Sequence, residues 1–523
     1  MRNEAQYDAW MGAAKRVEEQ DAFACADGHL WVMKKKLSEM LDAEHSEVET
    51  CVIEEGRELQ RLLLAAHMEI RASREQKLQE VKGADGVRRT TKRASARPLT
   101  TLVGKVDVSR TAYQAPDVSG LHPMDAALNL PREQYSHGVR RFVAEHAAVM
   151  SFDDVRHEWV GHTGAKVPKR QVEELSVRAA ADFEEFYVQR RADDGQVEEP
   201  RFGNLLVLTF DGKGIVMVPE DLRPATKKAA AKATRKLTTR LTSGEKRNRK
   251  RMAQVAAVYT VARHVREPKD VLADLDGTTD ENARAKRPKV SNKRVWASVA
   301  SSPKEVILDA FCEADARDPK HQRQWVVLVD GNKDQLSILE AIRDKHAVRI
   351  VIDVIHVLEY LWRAAHALCG EGTHEAEAWV QERLLELLQN RPAGNIATHM
   401  RTAARTAKLQ GSAAAAVQDA ADYLNTYADY MQYGEAIAMG LPIATGVIEG
   451  ACRHLVKDRM DRGGARWTLS GAEAVLRLRA LRVSGDFNAY WEFHLQQEFQ
   501  RNHAERYADN HPPDPIRRLR SVK

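Results

Sequence analysis

The sequence predicts an α/β core, a mixed sheet flanked by helices, interrupted by an all-helical insertion and preceded by N-terminal helical and helix-turn-helix regions. Three observations lead there. Apolar, β-branched runs recur between residues 204 and 353: NLLVLTF, GIVMV, MAQVAAVYTV, RQWVVLV and AVRIVID. The last two are separated by KDQLSILEAIRDKH, an amphipathic helical pattern, so strand and helix alternate as in βα units. Outside this region, residues 44–75, 128–187 and 357–440 carry their apolar residues at helical rather than strand spacing.

In chain order, residues 1–85 form an N-terminal helical region in which Val48, Cys51, Val52, Leu59, Leu62, Leu63 and Ala66 mark one helix face. Residues 86–127 begin in a basic linker, Gly83 to Arg97, and continue into TTLVGKVDVSRTAYQ, which alternates as a short hairpin does. Residues 128–200 read as helix-turn-helix, from SHGVRRFVAEHAAVM, SFDDVRHEWVGHTG and VPKRQVEELSVRAAADFEEFY. The third segment sets Lys166, Lys169, Arg170 and Gln171 near a helix N-terminus, where a recognition helix meets bases and phosphates; a small helical bundle with charged ends fits the same residues. Residues 201–356 hold the first part of the core and a basic loop at 224–251, 357–440 the helical insertion, 441–495 the rest of the core, and 496–523 a basic tail.

Composition narrows the class. A chain of 523 residues buries a sizeable core and accommodates several domains of about 100–200 residues. The five cysteines, Cys25, Cys51, Cys312, Cys369 and Cys452, form no CxxC pair, which argues against a cysteine-based zinc site or a disulfide framework and for a reducing compartment. No apolar run reaches the roughly 18 residues of a membrane span, and the opening MRNEAQYDAWMG lacks a signal-peptide core, so a cytoplasmic protein without membrane contact is expected. Eighty basic against 75 acidic residues give a net charge of only +5, yet the basic residues concentrate at 227–251 and 453–482, as phosphate-contacting surfaces do.

Two aspartates end apolar runs: Asp211 in TFDGKG and Asp330 in LVDGNK. Strand ends present side chains into a crevice, and each Asp precedes a glycine; Asp-Gly is also ordinary turn chemistry, and at Asp211-Gly212 it predicts two strands joined by a tight turn. Ile448, Ala451, Cys452, Leu455 and Val456 make a buried helical stripe with Glu449, Arg453 and Lys457 on the neighbouring face, where Glu449 and Arg453 fit equally a simple i, i+4 pair. Three carboxylates in this order can hold two divalent cations about 3.5–4 Å apart.

The string TGVIEGACRHLVKDRMDRGGARWTLSGAEAVLRLRALRVSGDFNAYWEFH, with VVLVDGNKDQ and VIDVIH, resembles the insertion-sequence DDE transposases of the ISKra group, distant relatives of mutator-like transposases. The likeness runs from about residue 45 to the C-terminus and is most specific at 441–493. It implies an RNase H-like core, catalysis by Asp211, Asp330 and Glu449 through two Mg²⁺ or Mn²⁺ ions, and cleavage and strand transfer of DNA. Asp353, followed by His356 in a D-x-x-H motif, competes with Asp330 as second ligand, although in an RNase H-like sheet the strand before a connecting helix supplies it, which favours Asp330. His356 would bind or orient a phosphate near the site, or equally be a satisfied structural histidine, and Arg453, Lys457, Arg459, Arg462 and Arg466 would contact DNA, with Trp467 either joining them or capping the core. The partners implied are the element's terminal inverted repeats, target DNA and further copies of the chain in a homodimer or larger assembly, in a nucleoid-associated location. Some relatives carry a cysteine zinc ribbon near residues 100–125, which this chain lacks. A decayed transposase that only binds DNA, or an RNase H-like nuclease without strand transfer, are the rival readings; acids at all three positions argue against decay.

Overall fold

The computed structural model describes residues 17–163, 166–194, 205–232, 242–276 and 287–516. The chain divides into two compact units, residues 1–182 with 488–523, and residues 183–487. No helix among the described residues is long and apolar enough to cross a membrane.

The first unit opens with helices α1 (Val17–Glu39) and α2 (His45–Ser73), which pack together; a capping box between Glu44 and Glu47 starts the second. The basic segment expected to be a linker is instead paired backbone. Val81–Lys82 pairs with Arg88–Arg89, and β1 (Thr91–Thr101) runs antiparallel to β2 (Gly104–Gln114) over 11 residues each. Only Leu102 and Val103 form the turn, so the hairpin is longer than its alternation suggested: along β1 exposed Thr, Lys and Arg precede the buried end, which hides the strand in a sequence pattern. Three further helices, α3 (His137–Ala147), α4 (Phe152–Thr163) and α5 (Lys169–Ala179), pack on one another through Val143, Ala147, Val155, Trp159, Val172 and Leu175. The third predicted segment is two helices, because the chain breaks after Ala179 and the second unit begins at α6 (Phe183–Asp194).

Residues 488–516 return to the first unit rather than joining the sheet or forming a free tail; 517–523 lie outside the described residues. The join is a buried ionic network. Asp182, 4 % exposed, accepts from His494 Nδ1 at 2.5 Å and from both terminal nitrogens of Arg501 at 2.6 and 2.5 Å. Burial pushes the Asp182 carboxyl up, but His494 and Arg501 outweigh it and hold it at about 2. Arg140, 1 % exposed, contacts His494 Nε2 at 3.1 Å and Glu498 at 2.6 Å.

The second unit is built on one five-stranded mixed sheet. Its strands are β3 (Leu205–Val216), β4 (Lys250–Val261), β5 (Ser291–Ser298), β6 (Gln324–Val329) and β7 (Arg349–Ile352), in the spatial order β5-β4-β3-β6-β7. β3, β4 and β5 are antiparallel neighbours, whereas β6 and β7 run parallel to β3. β5, whose SNKRVWAS opens on polar residues, carries little sequence signal. Between β5 and β7 stand α7 (Pro303–Arg317), started by a Ser302–Glu305 capping box, and α8 (Lys333–His346). Of the basic loop, Pro224–Lys232 and Ser243–Arg247 are helical, and 233–241 lie outside the described residues. Four helices follow β7: α9 (Val354–Cys369), α10 (His374–Leu388), α11 (Ala393–Thr406) and α12 (Gly411–Thr426). Their breaks fall at Gly370, Pro392 and Gly411, as expected.

Asp182→Ala removes one partner of a buried ion pair and strands His494; it is expected to destabilise the first unit by about 3–5 kcal/mol, read as a lower denaturant midpoint. A loss under about 1 kcal/mol would show that the network does not hold the returning C-terminal segment.

Candidate carboxylate site

Parallel strands covered on both faces are apolar throughout, so the first polar residue appears where the cover stops. In β6 the residues from Trp325 to Val329 are all buried and Asp330 follows; in β7 Ile350 to Ile352 are buried and Asp353 follows. The registers align these exits. Thr209 of β3 pairs with Leu328, and Val329 with Ile352. Two steps past the first pair bring Asp211 beside Asp330, and one step past the second brings Asp330 beside Asp353. The three aspartates thus follow within two residues of the last paired positions, at the carboxyl edge of the parallel half of the sheet.

Asp211 reaches this position differently from expectation. No turn exists at Asp211-Gly212; β3 continues to Val216, with Asp211 opposite Val255 and Gly212 opposite Gln254. The 12 residues of β4 hold β3 along its whole length, while β6 separates from it after Leu328. Nor does AVRIVIDVIH stay extended: Asp353 caps α9, so His356 stands in the first helical turn.

Glu449 lies on α13 (Gly446–Ala451), which runs into a π-helical segment, Cys452–Lys457. Two tethers bracket it. Thr445, just before the helix, donates to Asp353 Oδ2 in a short hydrogen bond, and the Cys452 thiol donates to Asp211 Oδ2 at 2.9 Å. Burial and the Asp211 charge push that thiol up, keeping it a protonated donor. The wide π turn preserves the predicted buried stripe, Ile448, Ala451, Cys452, Leu455 and Val456, and leaves Arg453 and Lys457 exposed. Arg479 of α14 (Leu469–Ser484) supports it, donating to Leu455 O at 2.6 Å and, in a shorter contact, to His454 O. Such segments cluster at functional sites.

Asp211 has both oxygens engaged, one accepting from Gly212 N–H at 2.6 Å and the other from the Cys452 thiol. Asp353 is fully buried; one oxygen accepts from Ile355 N–H at 2.9 Å, the other from Thr445, with His356 Nδ1 3.5 Å away. Asp330 is half-buried, and among the described residues only Asn332 N–H, at 2.9 Å, donates to its carboxylate. Glu449 is exposed and its carboxylate has no hydrogen-bond donor among the described residues. Burial, with Asp211 adding, raises the Asp330 carboxyl; burial, with Asp353 and Asp211, raises Glu449. The Asp353 carboxylate beside His356 lifts the imidazole to about 9 against the effect of burial, so it is a cation at neutral pH.

The donor set suits a divalent cation. Side-chain ligand atoms of Asp353, His356 and Glu449 lie within 4.8 Å of one another, and Asp211 and Asp330 adjoin them. The carboxylate oxygens among them are the donors that Mg²⁺ or Mn²⁺ takes, while a protonated His356 is a neighbouring charge rather than a ligand. No family model matches the chain, and no curated protein matches it.

The remaining predicted contacts divide. Arg453, Lys457, Arg462 and Arg466 are exposed, but Arg459 is 2 % exposed with its guanidinium 4.7 Å from the Trp467 ring, which takes it off the surface. Trp467 is itself core: its backbone bridges Val216 and Val218, and its indole donates to Met460 O at 3.0 Å. In the first unit Lys166, Lys169 and Arg170 are exposed; Lys169 pairs with Asp153, Arg170 with Glu174 at 2.9 Å, and Gln171 donates to Glu174 at 2.8 Å. Thr445, Cys452 and Arg479 escaped the sequence reading. Cys452 alone left a trace, one turn after Glu449.

A raised carboxyl means that the folded state holds its proton more tightly than the unfolded chain, so stability falls as pH rises through the carboxylate range. Asp330→Asn and Glu449→Gln are therefore expected to melt at or above the parent at pH 7.5 in chelating buffer; a clear drop in Tm for both would overturn this account. Arg479→Met leaves two carbonyls short of a donor and is expected to cost about 1–3 kcal/mol in urea unfolding, where a neutral result would show that the π segment needs no support.

Proposed function

We propose that the chain is a DDE-type transposase, a metal-dependent DNA nuclease and strand transferase in which Asp211, Asp330 and Glu449 are the catalytic metal ligands. Asp330 and Asp353 just past their strands, Asp211 within β3, and the Glu449 helix tied to them by Thr445 and Cys452 carry this reading. A mixed sheet flanked by helices, with helices between the last strand and the Glu449 segment, supports an RNase H-like core with an inserted helical region.

Two bound Mg²⁺ or Mn²⁺ ions would supply activation of a water or DNA 3′-hydroxyl and stabilisation of the leaving oxygen. Asp211, Asp330 and Glu449 hold and orient. Asp353, which caps α9, accepts from Thr445 and lies within ligand distance of Glu449, is the alternative to Asp330 as second ligand. Arg453 and Lys457, exposed beyond Glu449, neutralise the phosphate backbone, and His356 adds a cation near the scissile phosphate. Lys166, Lys169, Arg170 and Gln171 at the start of α5 contact the element's terminal repeats. A dimer or larger assembly brings ends and target DNA together, in the cytoplasm on the nucleoid.

The test incubates purified protein with DNA flanking its own gene, Mg²⁺ and a target plasmid. The parent is expected to cleave and join. Asp211→Asn, Asp330→Asn and Glu449→Gln are each expected to lose at least about a hundredfold in rate while DNA affinity is kept. Asp353→Asn is expected to lose stability as well as activity. Cleavage without joining would make the protein a nuclease, and binding without cleavage would remove catalysis altogether.

A further inference from the structure

A second cluster of ligating side chains lies at the other end of β6. Asp315 in the last turn of α7, His321 in the following loop and His346 at the end of α8 bring one ligand atom each to within 4.8 Å of one another. Asp315 Oδ1 is 3.3 Å from His321 Nε2 and 3.4 Å from His346 Nδ1. Charge-assisted hydrogen bonds between such groups run about 2.7–2.9 Å. A tetrahedron with arms of about 2.0–2.1 Å, the lengths of Zn–N and Zn–O bonds, has edges of roughly 3.3–3.4 Å. His346 is 7 % exposed, and its Nδ1 faces the cluster without a hydrogen-bond partner among the described residues.

The rings are held in place by packing and hydrogen bonds. His321 stacks on Trp325 at 4.5 Å and 20°, and His346 lies nearly parallel to the same indole at 5.6 Å and 18°. Trp325 is fixed in turn by its indole N–H, which donates to Asp318 Oδ2 at 2.9 Å. Asp318 also accepts the backbone N–H groups of Gln322 and Arg323 at 2.9 Å, closing the loop that carries His321.

We propose that Asp315, His321 and His346 form a three-ligand zinc site. Two imidazoles and one carboxylate are a borderline donor set that selects Zn²⁺ over Mg²⁺, and the part-exposed Asp315 and His321 leave a fourth position for water. Trp325 begins β6 and Asp330 follows its end, so about 16 Å separate this site from the carboxylate row. The ion ties α7, the loop and α8 around the base of the strand that presents Asp330. The site stands whether or not the proposed function does.

The test measures Zn²⁺ binding and thermal shift on full-length protein stripped with chelator, in a Glu449→Gln background that disables the carboxylate row. One equivalent of zinc and a raised Tm are expected, with no comparable effect from Mg²⁺. Adding His321→Gln or Asp315→Asn, both at part-exposed positions, is expected to weaken zinc binding at least about tenfold and remove the thermal shift while leaving the metal-free Tm unchanged. Zinc binding that both substitutions leave intact, or no binding at micromolar zinc, would overturn the proposal.

Discussion

The parallel pairing of β3, β6 and β7 is the constraint on which the second unit depends. Parallel neighbours run in the same direction, so their covered, apolar stretches end on the same edge, and the polar residues that follow are forced together. Leu328 against Thr209 and Ile352 against Val329 fix that coincidence to the residue. An antiparallel arrangement would have sent alternate carboxylates to opposite edges. The crowding has a cost in charge repulsion and burial, visible in the raised carboxyls of Asp330 and Glu449. Frustration of this kind is retained where a cation or substrate relieves it.

The Glu449 helix is fastened to this row by small residues. Thr445 and Cys452 each place one donor on an aspartate of this edge; a hydroxyl bonded to a charged group is worth about 1.5–3 kcal/mol, and the thiol, a weaker donor, less. The π segment between Cys452 and Lys457 adds a residue to the turn, and the carbonyls it displaces are met by Arg479. A buried cation thereby does local structural service in a stretch whose charge suggested a nucleic-acid surface.

Charge clustering is therefore a poor guide by itself. Between 453 and 482, Arg453, Lys457, Arg462 and Arg466 face solvent, but Arg459 lies against Trp467, Arg477 pairs with Glu184 at 3.0 Å, and Arg479 is buried. In the first unit the same division appears, with Arg140 sealed in an ionic core with Glu498 while Lys166 is exposed.

The sequence by itself determined the strong periodic elements, the apolar strands of the sheet, the helices α7 and α8, the helical stretch after β7, and the chemical character of Asp211, Asp330 and Glu449. Those follow from local apolar periodicity, which a chain must satisfy wherever it folds. Tertiary structure alone decided the rest. It kept β3 straight through Asp211-Gly212, because β4 continues to pair there; it made Asp353 the cap of α9 while leaving it near Glu449; and it returned residues 488–516 to the first unit through Asp182. It also joined Asp315, His321 and His346, whose spacing in the chain matches no ligand motif. Each of these depends on which distant backbone or charge becomes a neighbour, and local periodicity holds no record of that.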